Sequence, residues 1–329
     1  MAPRNIYEQQ AANRRNTLLV MAAFVLFVGL LGLGFDVFML GFPGTEMGLQ
    51  IPIVAILAVG FGSISAFWSL QSGAKSVLAS STAVPIMAGD PRYQQLVNVV
   101  DEMSIASGLP RPALYLIPDP DPNAFATGKD PGHASIAVTQ GLLDQLSRDE
   151  LQGVIAHEMS HVRNYDIRLM TVVAALLGTV ALLWEFGLRS MRYGGVGGKK
   201  SSSDRKGGGN VILLVVWLVV LVLAPLISRM LAMAVSRQRE YLADASGAEL
   251  TRNPAALASA LDKIDAAIDP TRAIKKGTAH LCIVDPLGAA ANDSEGFLAD
   301  LFATHPPMRN RITLLKAMAY QESGAIRQP

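Results

Sequence analysis

Four apolar stretches, each free of charged residues, divide the chain. They cover residues 18–35, 51–70, 169–184 and 211–228. A helix needs about 20 apolar residues to cross a bilayer, within a range of about 17–25. The pattern therefore predicts that the first two stretches cross a membrane. The last two are borderline: they either cross fully, form a partly inserted hairpin, or pack as a helical hairpin inside a soluble core.

The polar remainder predicts the domain organisation. We expect an N-terminal anchor of two transmembrane helices at 1–70, and one cytosolic domain assembled from 71–166 and 229–329. Residues 167–228 are predicted to form a membrane-inserted helical hairpin. Its connection, 187–210, is rich in Gly, Ser and Lys, a composition typical of flexible loops.

Basic residues near the membrane stretches predict the orientation. The connection between the first two stretches contains no Lys or Arg, whereas the flanking segments contain Arg4, Arg14, Arg15, Lys75 and Arg92. Because Lys and Arg concentrate on the cytoplasmic side, the N-terminus and the segment after residue 70 are placed in the cytoplasm. The basic connection after the third stretch does not fit two further full spans, which leaves their insertion open.

The overall composition supports this class of protein. Hydrophobic residues make up 50% of the 329 residues and charged residues 17%, and the charged share is below that of an ordinary soluble domain. The net charge of +1 gives no reason to expect a nucleic-acid partner. The single cysteine, Cys282, excludes an intrachain disulfide. No small-residue cleavage site follows the first apolar stretch, which predicts a retained anchor.

Strand and helix patterns alternate before the third stretch. Helical spacing predicts a helix within residues 90–110, and proline-bounded residues 112–119 read as a strand. Residues 123–139 predict two strands joined by a turn. Ser147 with Glu150 forms a capping box, which predicts that a helix starts there.

The helix that follows, at 148–166, has an apolar face and a histidine face. Apolar residues fall on one side: Leu151, Ile155, Met159 and Val162. His157 and His161 lie together on another side, because positions one turn apart share a face. Two such imidazoles can bind one cation, and zinc accepts nitrogen ligands. Glu158, about 100° around the helix from His157, is placed to accept a proton from water at the metal.

A catalytic zinc site requires a third protein ligand. Ile167 occupies the position where a closely spaced third histidine would follow, so a carboxylate from a later helix is expected. Glu240 and Asp244 lie one turn apart in a helix pattern after the fourth apolar stretch. One of them can bind the metal while the other accepts a ring N–H from a ligand histidine. The spacing alone does not assign which carboxylate does which.

Several ordered motifs resemble one family over nearly the whole chain. They are "NAFATG", "ASIAVTQGLL", "RDELQGVIAHEMSHVRNYD", "SRQREYLADASGAEL" and "HPPMRNRI". Together with the apolar stretches they resemble the HtpX family of membrane-embedded zinc metallopeptidases, relatives of the CAAX prenyl proteases. By this resemblance His157, His161 and Glu240 are zinc ligands and Glu158 is the general base. Asp244 is implied to be the partner of a ligand histidine.

The resemblance implies further residues at the site. Asn164 matches a family position close to the metal, and His305 lies beside it, either as an oxyanion donor or occupying the open zinc position. Arg311 is the other candidate oxyanion donor. The cleft is implied to be bordered by a segment that pairs with a substrate strand: Asn123, Ala124, Phe125 and Ala126.

The resemblance also implies a fold and an activity. We expect an α-helical membrane protein with an α+β cytosolic zincin-like protease domain, mostly helical with a small β-sheet beside the active-site helix. One Zn²⁺ per chain is expected. The implied function is quality control: hydrolysis of misfolded or damaged membrane proteins at the bacterial inner membrane, by a multi-pass protein with a cytoplasmic active site. The expected partners are polypeptide substrates, the bilayer and other membrane quality-control proteases.

Two alternatives use the same residues. A protease of prenylated proteins shares the zinc chemistry, but such relatives have more membrane spans and a large enclosed chamber. A catalytically silent membrane scaffold could retain a structural zinc, and such a site would be closed by four protein ligands.

Overall fold

The protein is described by a computed structural model. The structure describes residues 6–36, 51–87, 89–193, 237–267, 273–274, 278–284 and 306–325. The fourth apolar stretch at 211–228, most of the connection at 187–210, and His305 lie outside the described residues.

Two long helices form the membrane part of the described chain. Helix α1 is Ile6–Phe35 and helix α2 is Ile53–Ser80, and both are long and apolar enough to cross a membrane. Their large apolar side chains are widely exposed, as expected for surfaces that face lipid: Leu26 63%, Leu57 67%, Ile64 70% and Phe67 62%. The carboxylate of Asp36 caps α2 by accepting the N–H groups of Val54 (3.0 Å) and Ala55 (2.7 Å).

The described chain after α2 contains a mixed sheet of four strands in the order β1-β2-β4-β3. The strands are β1 (Val84–Pro85), β2 (Ala113–Ile117), β3 (Ala124–Gly128) and β4 (Ala134–Thr139). β2 and β4 are parallel, and the other pairs are antiparallel. The predicted strands at 112–119 and 123–139 are thereby confirmed, and β3 forms one edge of the sheet.

Helices cover this sheet and build the core. They are α3 (Gln94–Ser107), α4 (Gln140–Gln145), α5 (Arg148–Arg163), α6 (Asp166–Tyr193), α7 (Arg237–Thr251), α8 (Pro254–Asp265) and α9 (Met308–Ala325). The predicted core face of α5 is confirmed, because Leu151, Ile155, Met159 and Val162 are all fully buried. The capping box is confirmed as well: Ser147 N donates to Glu150 Oε2 over 2.8 Å, and Glu150 N donates to Ser147 Oγ over 3.4 Å.

The third apolar stretch begins inside the protein. α6 starts at Asp166 and bends by 85° from α5; only if these two helices count as one span do the described residues offer a third crossing. The bend follows Tyr165, whose φ of 59° lies in the left-handed region and ends α5 at Arg163. The first turns of α6 then pack against α1, where Leu169, Val172 and Val173 are buried with Phe24.

The architecture confirms the expected fold class. The described chain is mostly helical, with membrane helices at its N-terminus and a small sheet beside α5. The bend at Tyr165 joins the helix that carries His157 and His161 to the helix that packs on the membrane anchor. The candidate site therefore lies close to the packing of α6 against α1.

Candidate metal centre

Three donor side chains converge between α5 and α7. The donor atoms of His157, His161 and Glu240 all lie within 4.8 Å of one another, and all three residues are buried. Glu240 Oε2 lies 3.7 Å from His157 Nε2, and Glu240 Oε1 lies 3.6 Å from His161 Nε2. The two imidazole rings are nearly perpendicular, with centroids 4.9 Å apart. The geometry thus brings together the three predicted ligands.

A glycine on α7 permits this approach. A Cβ at Gly247 would lie 3.0 Å from the backbone N of His157 and 3.2 Å from its Cα. The helix carrying Glu240 therefore packs directly on the backbone of the helix carrying both histidines. Ala243 of the same helix is also fully buried, and its small side chain is compatible with close helix packing.

The buried polar atoms fit a bound cation. His157 Nε2 and both carboxylate oxygens of Glu158 are buried without a hydrogen-bond partner within the described part of the chain. Buried polar atoms are normally satisfied, so such unpaired atoms require an explanation. Two imidazole nitrogens and one carboxylate form the donor set of a three-ligand catalytic zinc site. A divalent cation would use the free Nε2 and offset the charge of Glu240.

His157 is supported from behind by Asp244 and Arg311. Asp244 Oδ1 lies 2.9 Å from His157 Nδ1, a short contact whose angle departs from that of a good hydrogen bond. Arg311 donates to both oxygens of Asp244, through Nε over 2.8 Å and Nη2 over 2.7 Å. Burial raises the pKa of Asp244, but the Arg311 charge outweighs this effect and holds the pKa at about 2.

Arg311 is itself enclosed. Its side chain is fully buried, its Nη1 donates to Ile283 O over 2.9 Å, and the same nitrogen lies 3.6 Å from Glu240 Oε2. Burial alone would lower the pKa of the guanidinium, but the neighbouring carboxylates, with Asp244 first, raise it. Because Nε and Nη2 of Arg311 both donate to Asp244 and Nη1 lies near Glu240, the guanidinium faces two carboxylates. This geometry favours a supporting position over the alternative of an oxyanion donor.

His161 has a partner that the sequence did not reveal. Its Nδ1 lies 3.0 Å from Asp166 Oδ2, at the start of α6. Burial lowers the pKa of His161, but Asp166 and Glu240 outweigh burial and raise the pKa to about 9. These carboxylates therefore favour a positive charge here, whether a proton or a metal ion. In the sequence, Asp166 is the last residue of the predicted helix at 148–166, and the helical spacing does not pair it with His161. Asn164, which directly follows α5, is buried.

Glu158 is deeply buried beside the three donors. Its side chain is 1% exposed. Burial is the main cause that raises the pKa of Glu158, and Glu240 also raises it, whereas His157, His161 and the backbone of Ala126 lower it. A carboxylate with a raised pKa is a stronger base than an exposed one, which suits proton transfer near neutral pH.

The predicted substrate segment forms the edge strand β3. Asn123, Ala124, Phe125 and Ala126 are all buried. On the outer edge, Ile283 N donates to Ala124 O over 3.0 Å, and Asn123 Nδ2 donates to Val284 O over 3.2 Å. Further along, Gly128 N donates to Thr171 Oγ1 over 3.0 Å. Ala126 lies between these contacts, beside Glu158.

Comparisons with known proteins identify the family of the chain. The profile of Peptidase family M48 matches residues 91–319. The chain is 44% identical to the "Protease HtpX homolog" of Thermoanaerobacter pseudethanolicus, over 97% of this chain and 99% of the relative. It is 39% identical to the protein of the same name from Ligilactobacillus salivarius, over 95% of this chain and 100% of the relative.

A solved structure is also similar. The crystal structure of S. mikatae Ste24p aligns with a TM-score of 0.48 and 18% identity, covering 94% of this chain and 67% of that chain. The family profile and the near-complete HtpX relatives decide the assignment. The chain belongs to peptidase family M48 and is a membrane-bound metalloprotease similar to the HtpX proteases.

Proposed function

We propose that the protein is a zinc endopeptidase that hydrolyses membrane proteins at the cytoplasmic face of the bacterial inner membrane, as part of protein quality control. The single observation that carries the proposal is the buried cluster of His157, His161 and Glu240 beside Glu158, at the junction with the membrane helices. The metal that this cluster would hold is zinc, because two imidazoles and one carboxylate are its usual catalytic ligands.

His157, His161 and Glu240 would hold the ion, with Asp244 and Asp166 orienting the two imidazole rings. When bound, zinc supplies a Lewis acid that polarises the scissile carbonyl and acidifies water. Within the described part of the chain the cluster has three protein donors, whereas a structural site would be closed by four. The cluster of three therefore favours catalysis over the scaffold alternative.

Glu158 is the proposed general base. Its carboxylate accepts a proton from the attacking water, and the oxygen of that water forms a bond to the carbonyl carbon. Glu158 then delivers the proton to the leaving amine as the C–N bond breaks. Burial of the carboxylate keeps its pKa raised, so that it both accepts and returns the proton readily. His305, the other oxyanion candidate, remains a proposal from the family resemblance.

An extended substrate is proposed to pair with the edge strand β3. Ala126 is the proposed point of pairing, because its backbone lies close enough to Glu158 to lower the pKa of that carboxylate. Contacts from Ile283 and Thr171 on either side limit this edge to a short segment. Pairing of this kind uses backbone groups and tolerates many side chains. Such a site requires a locally unfolded segment, which suits damaged proteins.

The position of the site relative to α1 supports the cytoplasmic side. Asn13, near the N-terminal end of α1, donates to Asn164 O over 2.9 Å, directly after the helix that carries the ligands. The basic residues Arg14 and Arg15 lie at the same end of α1, before its apolar stretch. Such residues stay in the cytoplasm, which supports the proposal that the candidate metal centre lies on that side, close to the bilayer surface.

Cleavage of an unfolded protein tests the activity. The full-length chain in detergent is incubated with casein, with and without a chelator, and zinc is then restored. We expect cleavage by the wild type, loss of cleavage with chelator, recovery with zinc, and loss of at least about 100-fold in Glu158→Gln. Glu249→Gln, an exposed glutamate of α7, is the matched control and retains activity. Cleavage that persists in chelator or in Glu158→Gln would overturn the proposal.

The proposed cleavage of membrane proteins on one side of the bilayer is tested in vesicles. The protease is reconstituted with a one-span substrate that carries the same unfolded segment on one side of the membrane or on the other. Cleavage only when the segment lies on the side of the protease N-terminus supports the proposed location. Equal cleavage of both orientations, or cleavage of only the opposite one, would contradict it. Indifference to prenylation of the segment separates the activity from CAAX-type processing.

A further inference from the structure

The polar N-terminal end of α1, which precedes its apolar stretch, contacts the residues that join α5 to α6. Gln10 Nε2 donates to Arg163 O over 2.8 Å, and Asn13 Nδ2 donates to Asn164 O over 2.9 Å. The guanidinium of Arg14 lies 4.5 Å from the centre of the Tyr165 ring. These contacts join α1 to the end of the ligand helix.

One contact of α1 leads directly towards a proposed metal ligand. Asn13 Nδ2 also donates to Asp166 Oδ1 over 2.6 Å, and the other oxygen of Asp166 lies 3.0 Å from His161 Nδ1. All three residues are buried: Asn13 is 1% exposed, Asp166 0% and His161 4%. When Asp166 accepts the N–H at Nδ1, the Nε2 lone pair of His161 is directed towards Glu240.

A residue of α7 joins the same group. Arg239 Nη1 donates to Asn13 Oδ1 over 3.4 Å and lies 3.8 Å from Asp166 Oδ1. Arg239 directly precedes the proposed ligand Glu240. We call Asn13, Asp166 and Arg239 the junction cluster. It connects α1, α6 and α7 at the point where α5 ends.

We propose that Asn13 is a positioning residue for the metal centre, acting through Asp166 on His161. The inference rests on the proposed ligands and deepens that function. Asp166 can turn about its side-chain bonds unless both oxygens are engaged, and the amide of Asn13 fixes the oxygen that His161 does not use. The first membrane helix is therefore part of the metal site, in addition to being an anchor. Interactions behind a ligand histidine typically change metal affinity by about 10–100-fold.

Metal affinity of the full-length protein in detergent tests this inference. Cobalt(II) and zinc are titrated in competition with a chromophoric chelator, and the visible spectrum of the cobalt form reports the ligand geometry. Asn13→Ala is expected to bind either metal about 10-fold more weakly or worse and to show an altered cobalt spectrum. Gln10→Ala is the matched control, because it removes an amide donor to a backbone carbonyl one turn away, without contact to Asp166. It should retain the wild-type affinity and spectrum.

A double variant distinguishes positioning from general destabilisation. If Asn13 acts through Asp166, the combination of Asn13→Ala with Asp166→Asn binds metal no more weakly than Asp166→Asn alone. Independent losses that multiply in the double variant would overturn the inference, as would wild-type affinity and spectrum in Asn13→Ala. Failure of the wild type to bind metal would instead contradict the proposed centre itself. Asn13→Asp, of the same size, provides a second variant should Asn13→Ala not fold; it is expected to weaken binding, and unchanged affinity would contradict the inference.

Discussion

Replacing Arg311 by methionine tests the charge arrangement behind the metal centre. The side chain of Arg311 is fully buried and donates two hydrogen bonds to Asp244, over 2.8 and 2.7 Å. It also lies 3.6 Å from Glu240. Methionine retains much of the volume and removes the charge. Two buried carboxylates then lose the cation that both of them face.

The magnitude follows from the contacts. The fall of the pKa of Asp244 from 3.8 to about 2 corresponds to about 2 kcal/mol of stability at neutral pH. Solvent screens this pair little, because the side chain of Asp244 is only 4% exposed and that of Arg311 is 0% exposed. The lost hydrogen bond to Ile283 O adds about 1 kcal/mol. The total agrees with the loss of about 3–5 kcal/mol expected when one partner of a buried ion pair is removed.

The assay is thermal unfolding of the full-length protein in detergent with chelator present, so that metal binding does not contribute. For a domain of this size, each kcal/mol shifts Tm by about 2–4 °C, so we expect a fall of about 10 °C. Lys316→Met is the matched control on the same helix. Its ion pair with Asp262 also measures 2.7 Å, but the side chains are 60% and 48% exposed. An exposed pair contributes about 0–1 kcal/mol.

The sign of the pH dependence is fixed by the same residue. The pKa of Asp244 is depressed in the folded protein, so its stabilising effect is complete above about pH 4 and is lost as the pH falls through about 2. The difference in Tm between wild type and Arg311→Met should therefore reach its full size at pH 7. If Arg311→Met lowers Tm by only 2–3 °C at pH 7, no more than Lys316→Met does, the buried ion pair does not stabilise the fold as expected.

Two further predictions concern the scaffold around α5. Burial raises the pKa of Glu150, but Lys263, Ser259 and Ser147 outweigh this effect and lower the pKa from 4.5 to about 2. Glu150→Gln should therefore destabilise the fold by about 2 kcal/mol at pH 7, a value reduced because Lys263 is partly exposed to solvent. Thermal unfolding measures this loss, which should become smaller as the pH falls from 4.5 towards 2. Gly247→Ala should weaken zinc binding in a competition titration, because the added Cβ would lie 3.0 Å from a backbone atom of His157, whereas Gly60→Ala, with nothing within 4 Å, should not.

Local patterns explain which features the sequence could predict. The capping box at Ser147, the core face of α5 and the β3–β4 hairpin depend on residues close together in the chain, and all were found where the pattern placed them. α5 ends earlier than the predicted residue 166, because Tyr165 takes up a left-handed conformation that apolar spacing does not reveal.

Long-range polar contacts explain what the sequence could not predict. Asn13 and Asp166 are separated by 153 positions, and no periodicity links an amide on a membrane helix to a carboxylate beyond the active-site helix. The burial of the third apolar stretch at Leu169 and Val173 has a similar origin, since it depends on packing against α1. The family resemblance suggested which of Glu240 and Asp244 faces the metal, and the structure places Glu240 between the two imidazoles.

We propose that His157, His161 and Glu240 bind one catalytic zinc ion. X-ray absorption at the zinc edge of the purified full-length protein measures this most directly, together with zinc content for the wild type, Glu158→Gln and Glu240→Gln. We expect one zinc per chain in wild type and Glu158→Gln, with two imidazole nitrogens at about 2.0–2.1 Å and a carboxylate oxygen. Glu240→Gln should lose the zinc. An unchanged spectrum with one zinc per chain in Glu240→Gln would contradict this ligand set.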